Sequence, residues 1–284
     1  MKKVELKNDK YPELLRKIGK EAPKQLYYKG EWQNDIFENC LAVVGSRRMT
    51  TYGKQITQKL VGQIASAGIT IVSGFMYGVD AAAHKSVVET GGKTIAVMPC
   101  GIDRVHPEYQ IKLYNDILEN NGLIISEYEG DSQPGYWTYP ARNRIVAGLS
   151  KAVLVVEAGE KSGSLITANL GKKFDRKVFA VPGPLTSVLS FGTNQLIKNR
   201  DAEMVNSAED ILKFYNKGIK KTCNKPGLLQ GLEGQILGLL QRDPVGLDNL
   251  ARELDISIPE ISRLVSLMEI KGQLKKENNK YYVS

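Results

Sequence analysis

Short apolar runs alternate with longer segments of helical spacing along most of this chain. Leu41–Val44, Thr70–Ser73, Thr94–Met98, Leu123–Ser126, Val153–Val156 and Val178–Val181 are brief, rich in β-branched residues and nearly free of charge. Such runs predict strands buried on both faces. Tyr52–Ala67 and Val79–Thr90 instead repeat apolar residues at helical intervals, and they stop at Gly68 and at Gly91-Gly92. From Leu165, LITANLGKK has the same spacing. Strand and helix in alternation predict an α/β fold, a doubly wound and mostly parallel Rossmann-like sheet. Ligands of such sheets sit beyond the carboxyl ends of the strands. The segments at those ends are GSRR (45–48), SGFMYGVD (73–80), PCGIDRVHP (99–107), EYEGD (127–131), EAGEKSGS (157–164) and PGPLTS (182–187). They are rich in glycine and polar residues, as a binding rim should be.

The pattern changes at both ends. Residues 1–39 read as a short helix and an extended, proline-containing arm, too small for a core of their own. Residues 40–216 hold the α/β pattern. Residues 217–227, KGIKKTCNKPG, read as a basic linker with helix breakers. Residues 228–284 read as a separate small domain. GLEGQILGLLQ is amphipathic, Pro244 interrupts, and LDNLARELD makes a second helix. A turn at 255–257 leads to a third helix starting near Pro259 and ending at Gly272. QLKKENNKYYV then predicts a hairpin around Asn278-Asn279. Helix, helix, turn, helix and hairpin predict a winged helix.

Composition narrows the function. The 284 residues are 42% apolar and 25% charged, as in ordinary globular chains, and the net charge is +8. An anionic partner is expected. From Leu228 onward there are seven basic and eight acidic residues, a net −1, so the first 227 residues carry +9. The anion site is therefore expected upstream of the winged helix. Its third helix offers only Arg263 and Lys271 against Glu260 and Glu269, too little positive charge for a DNA-reading helix. A protein-contact or structural role is expected there instead. No apolar run is long enough to cross a membrane, and MKKVELKNDK is too polar for a signal peptide. Cys40, Cys100 and Cys223 are far apart and neither histidine lies near a cysteine pair. Neither a metal site nor a disulfide framework is expected, and a cytoplasmic location is.

The candidate chemistry gathers in residues 139–167. Ser162-Gly163-Ser164 opens the helix after the Val153–Val156 strand. Free backbone N–H groups at a helix start attract anions, and glycine lets a phosphate approach. An ordinary serine N-cap explains Ser162 as well. Arg142 and Arg144, flanking Asn143 just upstream of the same strand, favour the phosphate reading. Gly45-Ser46-Arg47 ends the first core strand, and Arg47 either suits a phosphate through its planar fork or is a solvated surface arginine. The GxGxxG fingerprint is absent, and Ser73-Gly74 stands where an acid would hold a ribose, so NAD is disfavoured. Asp80 and His84, four apart, read as a helix cap and a packed histidine before they read as a general base. Tyr136, Trp137 and Tyr139 either stack on bases or pack the sheet edge. No nucleophile or carboxylate couple has a partner in the sequence.

In order, the chain carries GSRxxTxYG, SGxxxGVDAAAH, GGxTIAVxxCGIDxxHP, SEY, YPARNRIVAGLS, VVEAxxxSGSLITA, VFAVPG and GTNxLI. This set resembles the DNA-processing protein A family (DprA, also called Smf) over roughly residues 40–205. The resemblance implies an extended Rossmann fold that binds single-stranded DNA, forms homodimers and helps load the RecA recombinase in transformation and recombination. It implies no cofactor and no enzymatic activity. It places the family's GSR on Gly45, Ser46 and Arg47, its aromatic on Tyr139, and its RNR on Arg142, Asn143 and Arg144. Together with Ser162, Gly163, Ser164 and Thr167 these are the expected phosphate and DNA contacts. Phe75-Met76-Tyr77, His106-Pro107 and Arg200-Asp201-Ala202 depart from the family's usual residues, which at the second of these are Tyr-Pro. The rival reading is a nucleoside-monophosphate phosphoribohydrolase of the lysine-decarboxylase-like kind, which carries PGGxGTxxE with a catalytic glutamate. Here EAGEKSGSLITANL has no glutamate after the threonine. A winged-helix regulator with a ligand-sensing domain is a third reading, disfavoured by the acidic third helix.

Overall fold

The apolar runs form the middle of a nine-stranded sheet in a computed structural model that describes residues 2–218, 232–240, 243–270, 272–277 and 280–283. The strands are β1 (Lys3–Glu5), β2 (Gln25–Gly30), β3 (Cys40–Val44), β4 (Thr70–Ser73), β5 (Thr94–Gly101), β6 (Leu123–Tyr128), β7 (Ala152–Val155), β8 (Lys177–Ala180) and β9 (Glu203–Met204). Their spatial order is β1-β2-β6-β5-β4-β3-β7-β8-β9. From β6 to β9 every pair is parallel, and β2 and β1 extend the β6 edge antiparallel. The helices are α1 (Glu13–Arg16), α2 (Thr51–Ser66), α3 (Val79–Glu89), α4 (Ile111–Glu119), α5 (Thr138–Leu149), α6 (Gly163–Lys173), α7 (Phe191–Lys198) and α8 (Ala208–Phe214). This is the mostly parallel α/β architecture that the hydrophobic pattern predicts.

Alternation along the strands builds two cores. In β3, Cys40, Ala42 and Val44 face one side with Ile145, Val146 and Leu149 of α5. Leu41 and Val43 face the other with Leu60, Val61 and Ile64 of α2 and with Ala83 and Val87 of α3. A strand covered on both faces has no polar side, hence its continuous apolar sequence. After β3 the chain adds β4, β5 and β6 on one side, then returns to lay β7, β8 and β9 on the other. The order reverses between β3 and β7, which opens a crevice at their carboxyl ends.

Residues 1–39, expected as an arm without a core, bring two strands to this sheet. Val4, Tyr11, Leu15, Leu26, Ile36 and Phe37 are buried in the same core as β3 and α5. The segment borrows the core it cannot build, so the first compact unit runs Met1–Lys220. The second unit, Lys221–Ser284, has its own. There α9 (Leu232–Leu240), α10 (Leu247–Leu254) and α11 (Ile258–Ile270) bury Ile236, Leu250, Ile261, Val265 and Met268. A hairpin of β10 (Leu274–Glu277) and β11 (Lys280–Val283) completes the winged-helix pattern. The expected turn at Asn278-Asn279 and residues 219–227 of the expected linker lie outside the described residues. Among the described residues no helix is long and apolar enough to cross a membrane.

Candidate functional site

A cavity of about 590 Å³ opens at the β3/β7 switch point. Three strand ends build its wall. Gly45–Arg48 follow β3, Met76, Tyr77 and Asp80 follow β4, and Gly159 and Lys161–Ser164 follow β7. Tyr139, Pro140, Arg142 and Asn143 arrive from α5, and Ile166 and Thr167 from α6. Every site residue expected from the sequence lines this cavity except Arg144.

The loop after β3 is fixed from both sides. The Ser46 N–H donates to the Glu157 carbonyl at 2.8 Å, and the Val79 N–H donates to the Ser46 carbonyl at 3.2 Å. The Ser46 hydroxyl accepts from the Arg48 N–H at 3.1 Å. Glu157 is buried, and its carboxylate takes the Thr50 N–H at 2.8 Å and the Thr50 hydroxyl at 2.5 Å. Gly78, at φ 80°, lies so close that an added Cβ would run into the backbone of Ser46 and Arg47. Glycine is required here both for the dihedral and for the approach. The result is a rigid turn that leaves the side chains of Arg47 and Arg48 exposed.

Lys161 is exposed across the cavity. Among the described residues none of these three cations has a carboxylate within ion-pair distance. The Arg47 guanidinium lies 5.1 Å from the Tyr139 ring centre and 5.9 Å from that of Tyr77. Both are cation–π distances. The Tyr139 hydroxyl is hydrogen-bonded to His106 Nε2 at 2.8 Å.

The start of α6 is a serine cap: the Ser162 hydroxyl accepts from the Ser164 N–H at 3.4 Å and lies 2.8 Å from the Ser164 hydroxyl. A Cβ added at Gly163 would meet no atom within 4 Å. Packing therefore does not require this glycine, which leaves bare backbone facing open space. The cap and the open anion approach coexist at one helix start.

The RNR segment departs from the sequence reading. Arg142 and Arg144 lie on one helix, two residues apart, so their side chains diverge by roughly 200°. Arg142 is only 4% exposed, and its Nη1 donates to the carbonyls of Gly74, just past the end of β4, and of Val97, within β5. Its Nε donates to Asn143 Oδ1 at 3.3 Å. Burial lowers its pKa to about 10, partly offset by the charge of Asp80. It is a cationic floor beneath the cavity rather than a free phosphate clamp. Arg144 points away from the cavity, and its Nη2 donates to both Glu127 carboxylate oxygens at 2.6 and 2.7 Å. The expected phosphate contact at Arg144 is not met by this geometry, because a neighbouring carboxylate already takes its Nη2 and its Nη1 is buried.

His84 follows the structural alternative, but Asp80 does not cap α3, whose N-cap is Gly78 without a side-chain cap. Asp80 is buried and accepts from the Met76 N–H at 3.3 Å, and burial raises its pKa against the pull of Arg142. His84 is fully buried, with Nδ1 2.8 Å from the Thr94 hydroxyl, and burial lowers its pKa to about 3. Tyr136 and Trp137 are 98% and 67% exposed and lie outside the cavity wall. Sequence reasoning missed Arg48, Tyr77, Lys161 and His106. Each lies in a strand-end segment already read as rim, which was the available signal.

The family model for DNA recombination-mediator protein A matches residues 2–216, and that for the DprA winged helix domain matches residues 225–278. Protein Smf of Synechocystis is 33% identical over 310 residues, covering 96% of this chain and 77% of that protein. DNA processing protein DprA of Streptococcus pneumoniae is 40% identical over 205 residues, 72% of this chain and 71% of the relative. The solved structure of the Streptococcus pneumoniae protein aligns with TM-score 0.70 at 38% identity, covering 75% of this chain and 73% of that one. A Helicobacter pylori DNA processing protein A structure, which describes a single-stranded DNA binding mode, aligns with TM-score 0.67 at 32% identity over 76% of this chain and 96% of the other. By its Rossmann-like unit and its winged helix alike, this chain belongs to the DNA recombination-mediator protein A (DprA/Smf) family.

Proposed function

We propose that this protein binds single-stranded DNA in the β3/β7 cavity, without reading its sequence, and hands the strand to a RecA-type recombinase in DNA uptake and recombination. Arg47, Arg48 and Lys161 neutralise phosphates, and the bare backbone at Gly163 receives another. Tyr139 and Tyr77 offer ring faces to bases, which suits any base because every base has a π-face. Arg142 supplies buried positive charge from below. The carrying observation is the set of three exposed, unpaired cations converging on one crevice beside two tyrosine rings.

The protein acts as a binding mediator, not an enzyme, and uses no cofactor. Asp80 is the one carboxylate on the cavity wall among the described residues, and it caps the Met76 N–H. A lone capped carboxylate lacks the partner that acid/base chemistry needs. The acting form is a cytoplasmic homodimer, as the family resemblance implies. The test is a gel-shift competition between single-stranded and duplex DNA of equal length at one salt concentration. Preference for the single strand is expected, and tighter duplex binding would refute the reading.

A further inference from the structure

Two loops and the start of α5 meet at the cavity edge, and one hydrogen bond joins the helix to the loop after β5 at the aromatic ring. Tyr139 sits in the first turn of α5 with its ring half-buried. At its far end the hydroxyl meets His106 Nε2 at 2.8 Å. A tyrosine held at both its Cα and its hydroxyl keeps its ring axis in place beside Arg47. The loop carrying His106 is itself anchored. Arg104 donates to the Asp131 carboxylate at 2.9 Å and to its carbonyl at 3.2 Å, and Gln110 Nε2 donates to the Phe75 carbonyl at 3.0 Å. Phe75 belongs to the loop that carries Tyr77. His106 thus ties Tyr139 to the same frame that holds the second tyrosine beside Arg47.

We propose that His106 is a positioning residue for the cavity: its imidazole fixes the Tyr139 ring against the Arg47 guanidinium, and by taking up a proton it adds a cation to that edge when a DNA strand is bound. This rests on the reading of the cavity as a single-strand site. The bond survives a change of protonation. A neutral ring with its proton on Nδ1 accepts from the Tyr139 hydroxyl, and a protonated ring donates from Nε2 to the same oxygen. The charged and titratable groups around the ring are Arg104 and Glu108 on its own loop, Arg47 after β3, and Tyr139 on α5. In the free protein, burial first, then Arg104 and Arg47, lowers the His106 pKa, with Glu108 opposing. A phosphate docked at Arg47 screens that guanidinium and brings negative charge. The bound form therefore holds the proton more tightly than the free form. By linkage, affinity rises as pH falls through the interval between the two values, and the gain is lost above it.

The test is a titration of one labelled single-stranded oligonucleotide, at about pH 8 and about pH 6, against the full-length protein and variants. His106→Phe removes both roles. His106→Gln keeps a hydrogen-bonding group near the Nε2 position and cannot titrate. Tyr139→Phe breaks the same bond from the other end. At the higher pH, His106→Phe and Tyr139→Phe each weaken binding about three- to tenfold, and the double variant is no weaker than either single one. His106→Gln stays within about twofold at the higher pH but loses much of the wild-type gain on acidification. Melting curves establish that each variant is folded. If His106→Phe does not fold, the pH response of His106→Gln and the affinity of Tyr139→Phe decide the matter. A His106→Gln variant with the full acid gain, or a His106→Phe variant with wild-type affinity, overturns the inference while the site stands, provided Arg47→Ala is weak. Wild-type affinity in Arg47→Ala overturns the inference and the site together.

Discussion

The loop after β3 and the first half of α5 both bring an arginine to the cavity, and they present it in opposite states. Arg47 stands on a turn whose polar groups are satisfied by Glu157 and the start of α3, so its fork remains free above two tyrosine rings. Arg142 lies buried, its Nη1 taken by the carbonyls of Gly74 after β4 and Val97 within β5. One is left free for a ligand, and the other is bonded to backbone carbonyls beneath the cavity. What an arginine does here is set by which acceptors its neighbours leave unpaired.

That contrast is sharpest in stability. Arg142→Ala removes the donor from the buried carbonyls of Gly74 and Val97 and leaves a hole beneath the cavity. A loss of about 2–4 kcal/mol in unfolding free energy is expected by denaturant titration. Arg47→Ala should leave stability within about 0.5 kcal/mol. Its expected cost is in single-strand affinity, about tenfold to a hundredfold by fluorescence anisotropy, since a charge-assisted hydrogen bond contributes about 1.5–3 kcal/mol. If Arg47→Ala unfolds the protein, or Arg142→Ala leaves stability intact, the assignment of the two roles is reversed.

Arg144 tests the same logic with a smaller effect. Its partner is the part-buried Glu127 rather than a ligand. Arg144→Ala should cost about 1 kcal/mol of stability and leave affinity within about twofold. A tenfold loss of affinity in a variant that melts normally would return Arg144 to the binding surface.

The strands around β3 were legible because burial on both faces leaves a continuous apolar run. The start of α6 was legible from Ser162-Gly163-Ser164. Helix α5 was not, because its start carries Tyr139-Pro140 and its basic residues disguise the buried face formed by Arg142, Ile145, Val146 and Leu149. The separation of Arg142 from Arg144 appears only once that segment is known to be helical. Burial of Arg142 contradicts the ordinary expectation for arginine, and no neighbouring residue in the sequence announces the two carbonyls that accept it. The edge strands β1 and β2 were hidden by short, mixed sequences, KVE and QLYYKG, whose apolar residues pack on a core built elsewhere.

The smallest effect is expected from the winged helix. Deleting residues 226–284 should change single-strand affinity by less than about threefold, since the removed positive charge is balanced by acidic residues. Its third helix exposes Glu260, Arg263, Leu267, Glu269 and Ile270, a mixed face with little phosphate affinity. A loss above tenfold, in a truncated protein that is folded and in the same oligomeric state, would show that charge count misjudges this domain.

The central claim, that unpaired cations at the cavity mouth hold the phosphates of a single strand, is tested most directly by the salt dependence of binding. Each neutralised phosphate should contribute about 0.7 to the slope of log affinity against log salt for single strands. Wild type is expected to show a slope of about −2 or steeper, from Arg47, Arg48 and Lys161 together, and the triple alanine variant a slope shallower by about 2. Equal slopes for the two folded proteins would contradict the account, because the strand would then be held somewhere else.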